Sequence, residues 1–354
     1  MITLRNLTIQ NDPSDYIPSP GLLNALEVAY MLKRPLLLTG EPGTGKTQFA
    51  FWVANQLSRT DGFQPEPLIY NTKTSSTARD LFYHYDAIAH FRATQNSGLS
   101  ATSRSTAPST SSSTAASTAA PSATATSNAP SATAPTTAPT TEDFIQLKAL
   151  GLAITGAIGR PDLTLSPAIL ERGGIGDQPR GSIVLIDEID KAPRDFPNDL
   201  LNEIENYEFE IPELNQKVRL TAESQRRNII IILTSNFEKN LPDAFLRRCI
   251  YYHIEFPDRQ RLFAIIIKRL DISEDDYRDV EKRVDDFFRI QQMPNISKRP
   301  STSEFIDWMR ILQNDKRLSR EFFFGPELIL DDELSKYLPV LIKSKDDLAR
   351  IMTR

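Results

Sequence analysis

The sequence predicts an α/β fold, a parallel sheet with helices on both faces followed by a smaller all-helical domain, and three observations predict it. A short apolar run, Pro35-Leu36-Leu37-Leu38, feeds a glycine-rich loop, Gly40-Glu41-Pro42-Gly43-Thr44-Gly45-Lys46-Thr47, which runs into helical spacing over 47–54. Three further runs, 182–186, 228–233 and 249–254, are short and almost wholly apolar, as strands covered on both faces must be. From 257 onward the spacing is helical, with candidate helices at 258–270, 274–291, 301–313 and 346–352.

The remaining elements follow in chain order. An amphipathic helix is expected over 21–32 and a second strand over 67–71. A helical pattern follows Thr77, with apolar positions at Leu81, Tyr85, Ile88 and Phe91. Between 97 and 141 every residue is Ser, Thr, Ala, Pro or Gly except Leu99, Arg104 and Asn128. Such a segment has almost nothing large to bury against its ordering entropy, so it reads as a disordered insert looping out of the domain. Helical spacing resumes over 144–158 and again over 195–205, and the alternation around Pro212-Glu213-Leu214-Asn215 reads as a β-hairpin at 207–220. Ser301 ahead of Glu304 has capping-box spacing. The expected division is a sheet domain over 1–256, interrupted at 97–141, and a helical domain over 257–354.

Composition narrows the class. The 354 residues, 40% of them hydrophobic, suffice for two packed cores. A single cysteine, Cys249, rules out an intrachain disulfide and suits a reducing compartment. Its default place is a buried apolar one. His84, His90 and His253 are too scattered to assemble a transition-metal site. A net charge of -5 lacks the basic footprint of a protein that lives on nucleic acid. The sequence shows neither a secretory signal nor an apolar run long enough to span a bilayer, so a cytoplasmic location is expected.

Four stretches carry chemistry. Gly40, Gly43 and Gly45 let successive backbone N–H groups turn inward on an anion. Lys46 then reaches the β- and γ-phosphates of a nucleotide, and the Thr47 hydroxyl is placed to ligate Mg²⁺. The apolar run Ile183-Val184-Leu185-Ile186 ends in Asp187-Glu188, one carboxylate for the metal and the next for a water, with Glu188 as general base. A third run, Ile229-Ile230-Ile231-Ile232-Leu233-Thr234-Ser235-Asn236, ends in three polar side chains, of which Asn236 is the best candidate to face a γ-phosphate or its water. Arg247 and Arg248 precede the last strand in Leu241-Pro242-Asp243-Ala244-Phe245-Leu246-Arg247-Arg248, where a guanidinium can stabilise transferred charge across a subunit boundary.

Taken in order, these motifs resemble the AAA+ superfamily, and Asp187-Glu188-Ile189-Asp190-Lys191-Ala192-Pro193 with Thr234-Ser235-Asn236 looks most like its MoxR-like, dynein-related group. The resemblance implies a P-loop fold with a five-stranded sheet in the order 5-1-4-3-2 plus a helical lid. It also implies Mg²⁺-dependent ATP hydrolysis in a ring, commonly hexameric. Asn236 would be the first sensor and Arg248, or its neighbour Arg247, the arginine finger acting on the next subunit's ATP. Around Ser297-Lys298-Arg299-Pro300-Ser301-Thr302-Ser303 only Arg299 offers itself as second sensor. The 207–220 hairpin would line the ring's centre. Relatives of this type remodel partner proteins, including ones bearing a von Willebrand A domain. Two alternatives share the motifs, a nucleic-acid-dependent motor or loader and a slowly hydrolysing switch or scaffold.

Overall fold

Runs of leucine and isoleucine with no polar face suit strands buried on both sides, and three such runs form the centre of a five-stranded sheet. The computed structural model describes residues 12–102, 140–236, 240–294, 296–319, 323–324, 327–328 and 336–352. The sheet strands are β1 (Leu36–Thr39), β2 (Leu68–Asn71), β3 (Ser182–Asp187), β4 (Ile229–Ser235) and β5 (Ile250–His253). All neighbours are parallel and their spatial order is β2-β3-β4-β1-β5, which read from the other edge is the expected 5-1-4-3-2. The central strands are buried except at Asp187, the half-buried end of β3, whereas the edge strands β2 and β5 are half-buried and exposed in alternation. Register aligns Leu38 of β1 with Thr234 of β4, and Asn71 of β2 with Asp187 of β3. The carboxyl ends of β1, β3 and β4 therefore share one edge of the sheet.

Alternation along each strand feeds two apolar layers. Leu36, Leu38, Ile183, Leu185 and Ile232 pack with α1 (Pro20–Leu32) and α2 (Lys46–Thr60) on one face. Leu37, Val184, Ile186, Ile231 and Leu233 lie on the other. Beyond α3 (Ala87–Thr102), that second layer is covered by α4 (Ala149–Ile158) and α5 (Phe196–Asn206). A separate apolar cluster joins α6 (Arg259–Leu270), α7 (Tyr277–Gln292) and α8 (Thr302–Asn314), with Phe287 and Phe305 at 4.3 Å between ring centroids. The chain closes on α9 (Lys345–Met352). The capping box at α8 is formed, Ser301 Oγ accepting from the Glu304 N–H and Glu304 Oε2 accepting from the Ser301 N–H at 2.7 Å.

Two expected helical stretches are corrected. The pattern after Thr77 divides into a one-turn helix at Ala78–Leu81, a strand at Tyr83–Tyr85 and then α3. Likewise 144–158 begins with a strand, Ile145–Leu147, before α4. The two strands pair antiparallel with each other, Tyr83 with Leu147 and Tyr85 with Ile145. Tyr83, Ile145 and Leu147 turn into the core while His84 and Gln146 face out, so tertiary pairing overrides helical spacing. The low-complexity stretch is also shorter as an irregular segment than expected, because residues 97–102 continue α3; residues 103–139 lie outside the described residues. The hairpin is present as Glu208–Ile211 paired with Gln216–Arg219. It leans on the Tyr83 strand, with Phe82 stacked on Phe209 at 5.3 Å and Glu213 accepting from Tyr83 (2.9 Å) and Arg79.

Gly151 shows how tightly α4 is seated. A Cβ there would stand 2.0 Å from the Phe82 carbonyl oxygen. Gly151→Ala is expected to lower unfolding free energy by about 1–3 kcal/mol as α4 is pushed off the strand pair, overriding alanine's better helix propensity. Urea denaturation checks this, and an unchanged or raised midpoint would count against the packing described.

Candidate functional site

The loop between β1 and α2 turns on glycines in left-handed backbone, with φ of 79° at Gly43 and 89° at Gly45. Neither has room for a side chain. A Cβ at Gly43 would lie 2.5 Å from Ser303 Oγ at the start of α8, and one at Gly45 would meet the Tyr16 ring at 2.9 Å. The loop is thus enclosed by the helical cluster and by the segment before α1. Lys46 is 7% exposed, and its Nζ donates to the Gly40 and Glu41 carbonyls, each at 2.9 Å. Burial pulls its pKa down, and Asp187, Asp190 and Glu188 oppose that shift.

Three strand ends converge beside it. Thr47 Oγ1 donates to Asp187 Oδ1 at 3.1 Å and lies 3.3 Å from Oδ2, and Thr234 Oγ1 also donates to Oδ1. The Thr234 hydroxyl in turn accepts from the Glu188 N–H at 2.9 Å. Glu188 adopts left-handed backbone, φ 55° and ψ 51°, a costly choice for a residue with a Cβ and one that clusters at functional sites. Its carboxylate is held at both oxygens, by Lys191 Nζ on Oε2 at 2.5 Å and by Asn236 Nδ2 on Oε1 at 3.3 Å.

These residues open on a cavity of about 580 Å³ between the sheet edge and the helical cluster, a volume in the range of small-molecule sites. Pro42 to Gln48, Asp187, Glu188, Thr234 and Asn236 form its sheet-side wall. Tyr16, Ile17, Ile254, Pro257, Ile265 and Ile306 supply apolar lining, and Arg261, Arg269 and Arg310 supply positive charge. Helix α6 straps the segment before α1 across the cleft. Arg261 donates to the Ile17 carbonyl at 3.2 Å, Lys268 to Ser14 at 2.7 Å and Arg269 to Asp12 at 3.2 Å. Tyr16 packs on Phe49 at 5.8 Å, and burial pushes its hydroxyl pKa up to about 12.

Not every residue singled out from sequence is at the cavity. Arg247 and Arg248 are exposed and away from it, Arg248 pairing with Glu205 of α5 at 3.3 Å. Arg299 is exposed and does not line it either. The guanidinium that α8 offers is Arg310, and the helix start contributes Thr302 and Ser303. Thr302 is 6% exposed, and its hydroxyl has no partner among the described residues. Arg261, Ile265 and Arg269 recur every four residues on one face of α6, a signal hidden inside an amphipathic pattern. Tyr16 and Ile17 carried no signal. Cys249 is buried, which raises its thiol pKa to about 12 and leaves it chemically quiet. Among the described residues no group of three or more His, Cys, Asp or Glu is placed to hold a metal ion, and no helix is long and apolar enough to cross a membrane.

Residues 163–299 match the family model for the AAA domain (Cdc48 subfamily), a stretch that contains β3, Asp187-Glu188, β4 and β5. The fold is that of an AAA+ P-loop domain. The match names the Cdc48 subfamily and carries no statement about the MoxR-like group. No curated protein matches the chain. Among solved structures, C. elegans PCH-2 aligns over 94% of this chain at 15% identity with a TM-score of 0.36, and the chain spans 65% of that protein's length. In this sheet order β4 separates β1 from β3, so the glycine-rich loop and Asp187-Glu188 flank the strand that Asn236 follows. That is the crevice at the carboxyl edge where open α/β sheets bind ligands.

Proposed function

We propose that this chain binds Mg²⁺-ATP in the cavity and hydrolyses it as a ring-forming AAA+ ATPase. The observation that carries the reading is the convergence of Thr47, Thr234 and the Asp187 carboxylate beside a buried Lys46. A hydroxyl and a carboxylate are hard oxygen donors, and Mg²⁺ bound with a nucleotide needs only one or two such protein ligands. Thr47 and Asp187 would hold it, and its chemistry is neutralisation of charge on the β- and γ-phosphates. The backbone N–H groups of 43–47 and Lys46 cradle those phosphates. Tyr16, Ile17, Pro257 and Ile265 give a base an apolar slot. Glu188 takes the proton of the attacking water, and Asn236 fixes the orientation of that carboxylate.

Arg248, or Arg247 beside it, acts on ATP held by the neighbouring subunit in this reading. Both are exposed, as a residue serving another chain must be. The ring, a hexamer in the MoxR-like reading, uses the cycle to remodel a partner protein in the cytoplasm, with von Willebrand A proteins as candidate clients and the 207–220 hairpin toward the ring's centre. The division of labour between subunits has a direct test. Arg248→Ala is expected to lower kcat at least tenfold with ATP affinity within about twofold of wild type. Mixing it 1:1 with Glu188→Gln chains rebuilds about a quarter of the sites, since each needs its own base and its neighbour's arginine. A mixture no more active than its components would remove the shared site, and the same mixture made with Arg247→Ala assigns the finger.

A further inference from the structure

The turn that enters α8 is held from behind by a carboxylate of α9. Asp347, in the first turn of that helix, is 1% exposed, and its Oδ2 accepts from the Ser297 hydroxyl at 2.7 Å, the Ser297 N–H at 3.1 Å and the Lys298 N–H at 3.2 Å. Arg350 stands 3.7 Å from its other oxygen. The Ser297 hydroxyl does most to hold the Asp347 carboxyl below its ordinary range, and with the two N–H groups and Arg350 it outweighs the cost of burial. Next along the chain Pro300 is buried, and its carbonyl accepts from Gln291 Nε2 of α7 at 2.8 Å. What this turn delivers is Ser301 and Ser303, which stand against the glycine-rich loop so closely that a Cβ at Gly43 would lie 2.9 Å and 2.5 Å from their hydroxyl oxygens. A continuous strut thus runs from α9 through 297–301 to Gly43.

Gly43 has no side chain of its own to anchor it and sits at a φ of 79°, so the shape of the loop there depends on what it leans against. We propose that Asp347 is a positioning residue for the nucleotide site: its grip on Ser297 and Lys298 keeps Ser301 and Ser303 seated on Gly43, and that seat holds the loop in the shape that grips phosphates. The inference rests on reading the loop as a phosphate site, and deepens it by naming the group that fixes the site's far wall. Asp347 itself does not line the cavity. It therefore acts through the loop on bound ATP before and during hydrolysis alike, so its loss raises KM and spares kcat. Its charge contributes to the grip, because hydrogen bonds to an ionised acceptor are about twice as strong as neutral ones.

Steady-state ATPase assays on the full chain, paired with urea denaturation, read this. Asp347→Ala is expected to raise KM for ATP about five- to tenfold with kcat within about twofold of wild type. Asp347→Asn, which keeps an acceptor oxygen and loses the charge, is expected to raise it about two- to threefold, and Ser297→Ala, which removes the hydroxyl donor, about twofold. Ser303→Ala placed on Asp347→Ala is expected to add less than it does on the wild-type chain, since both act through the seat on Gly43. A lowered urea midpoint with KM unchanged makes the carboxylate a support of the helical domain alone and overturns the proposal, as does a fall in kcat at constant KM. Where Asp347→Ala fails to fold, an unchanged KM in Asp347→Asn and Ser297→Ala overturns it equally. If Lys46→Ala binds ATP like the wild-type chain, the reading of the loop fails first, and that result is seen without any Asp347 variant.

Discussion

Glu188→Gln is expected to lower ATP turnover by about 10²–10⁴ while leaving ATP bound, the usual worth of a positioned general base. The substitution keeps the shape of the side chain and an oxygen that can still accept from Asn236 Nδ2. It removes the capacity to take a proton. Because the Glu188 N–H is anchored on Thr234 and the backbone is already in its left-handed pose, the neighbouring Asp187 carboxylate stays where Thr47 and Thr234 hold it. Metal and phosphate binding are therefore expected to survive the substitution. Single-turnover hydrolysis alongside ATP affinity checks both halves, and parallel loss of affinity and turnover would place Glu188 in binding rather than in proton transfer.

Lys46→Ala should have the largest effect on affinity. Lys46 is nearly buried, with its ammonium facing the Gly40 and Glu41 carbonyls at the loop where phosphates are expected. Hydrogen bonds to charged groups are worth about 1.5–3 kcal/mol each, so losing contacts to two phosphates costs about 3–6 kcal/mol, or at least a hundredfold in Kd. Two effects reinforce each other. Removal of the cation also takes a buried counter-charge from Asp187, Glu188 and Asp190, which weakens the attraction of the cavity for a polyphosphate even with Arg261, Arg269 and Arg310 in its lining. Competition with a fluorescent ATP analogue measures the change, and a loss below about threefold would mean that the phosphates lie elsewhere.

How much of this was legible before the structure depended on the distance in sequence over which each feature is built. The strand–glycine-loop–helix unit and the strand ending at Asp187-Glu188 are local, each an apolar strand followed at once by its polar residues, so composition and order sufficed to place them. The parallel sheet was legible for the same reason, its central strands being apolar on both faces. The strand pair at Tyr83–Tyr85 and Ile145–Leu147 was not, because each strand is three residues long and its partner lies beyond the low-complexity stretch. The second wall of the cavity was hidden for a related reason. Tyr16 meets the loop at Gly45, and Ser303 meets it at Gly43 from about 260 positions away. Sequence pointed to Arg299 at the start of α8, whereas the guanidinium reaching the cavity is Arg310, two turns along the helix, where i, i+4 and i+8 share a face with Thr302 and Ile306.

The central claim, that the cleft between the AAA+ sheet and its helical cluster is a Mg²⁺-ATP site, is tested most directly by calorimetric titration of ATP into Glu188→Gln chains with and without Mg²⁺. The expected result is one saturable site per chain that tightens at least about tenfold with the metal and is abolished when Lys46→Ala is added. Absence of saturable heat, or binding indifferent to both Mg²⁺ and Lys46, would contradict it.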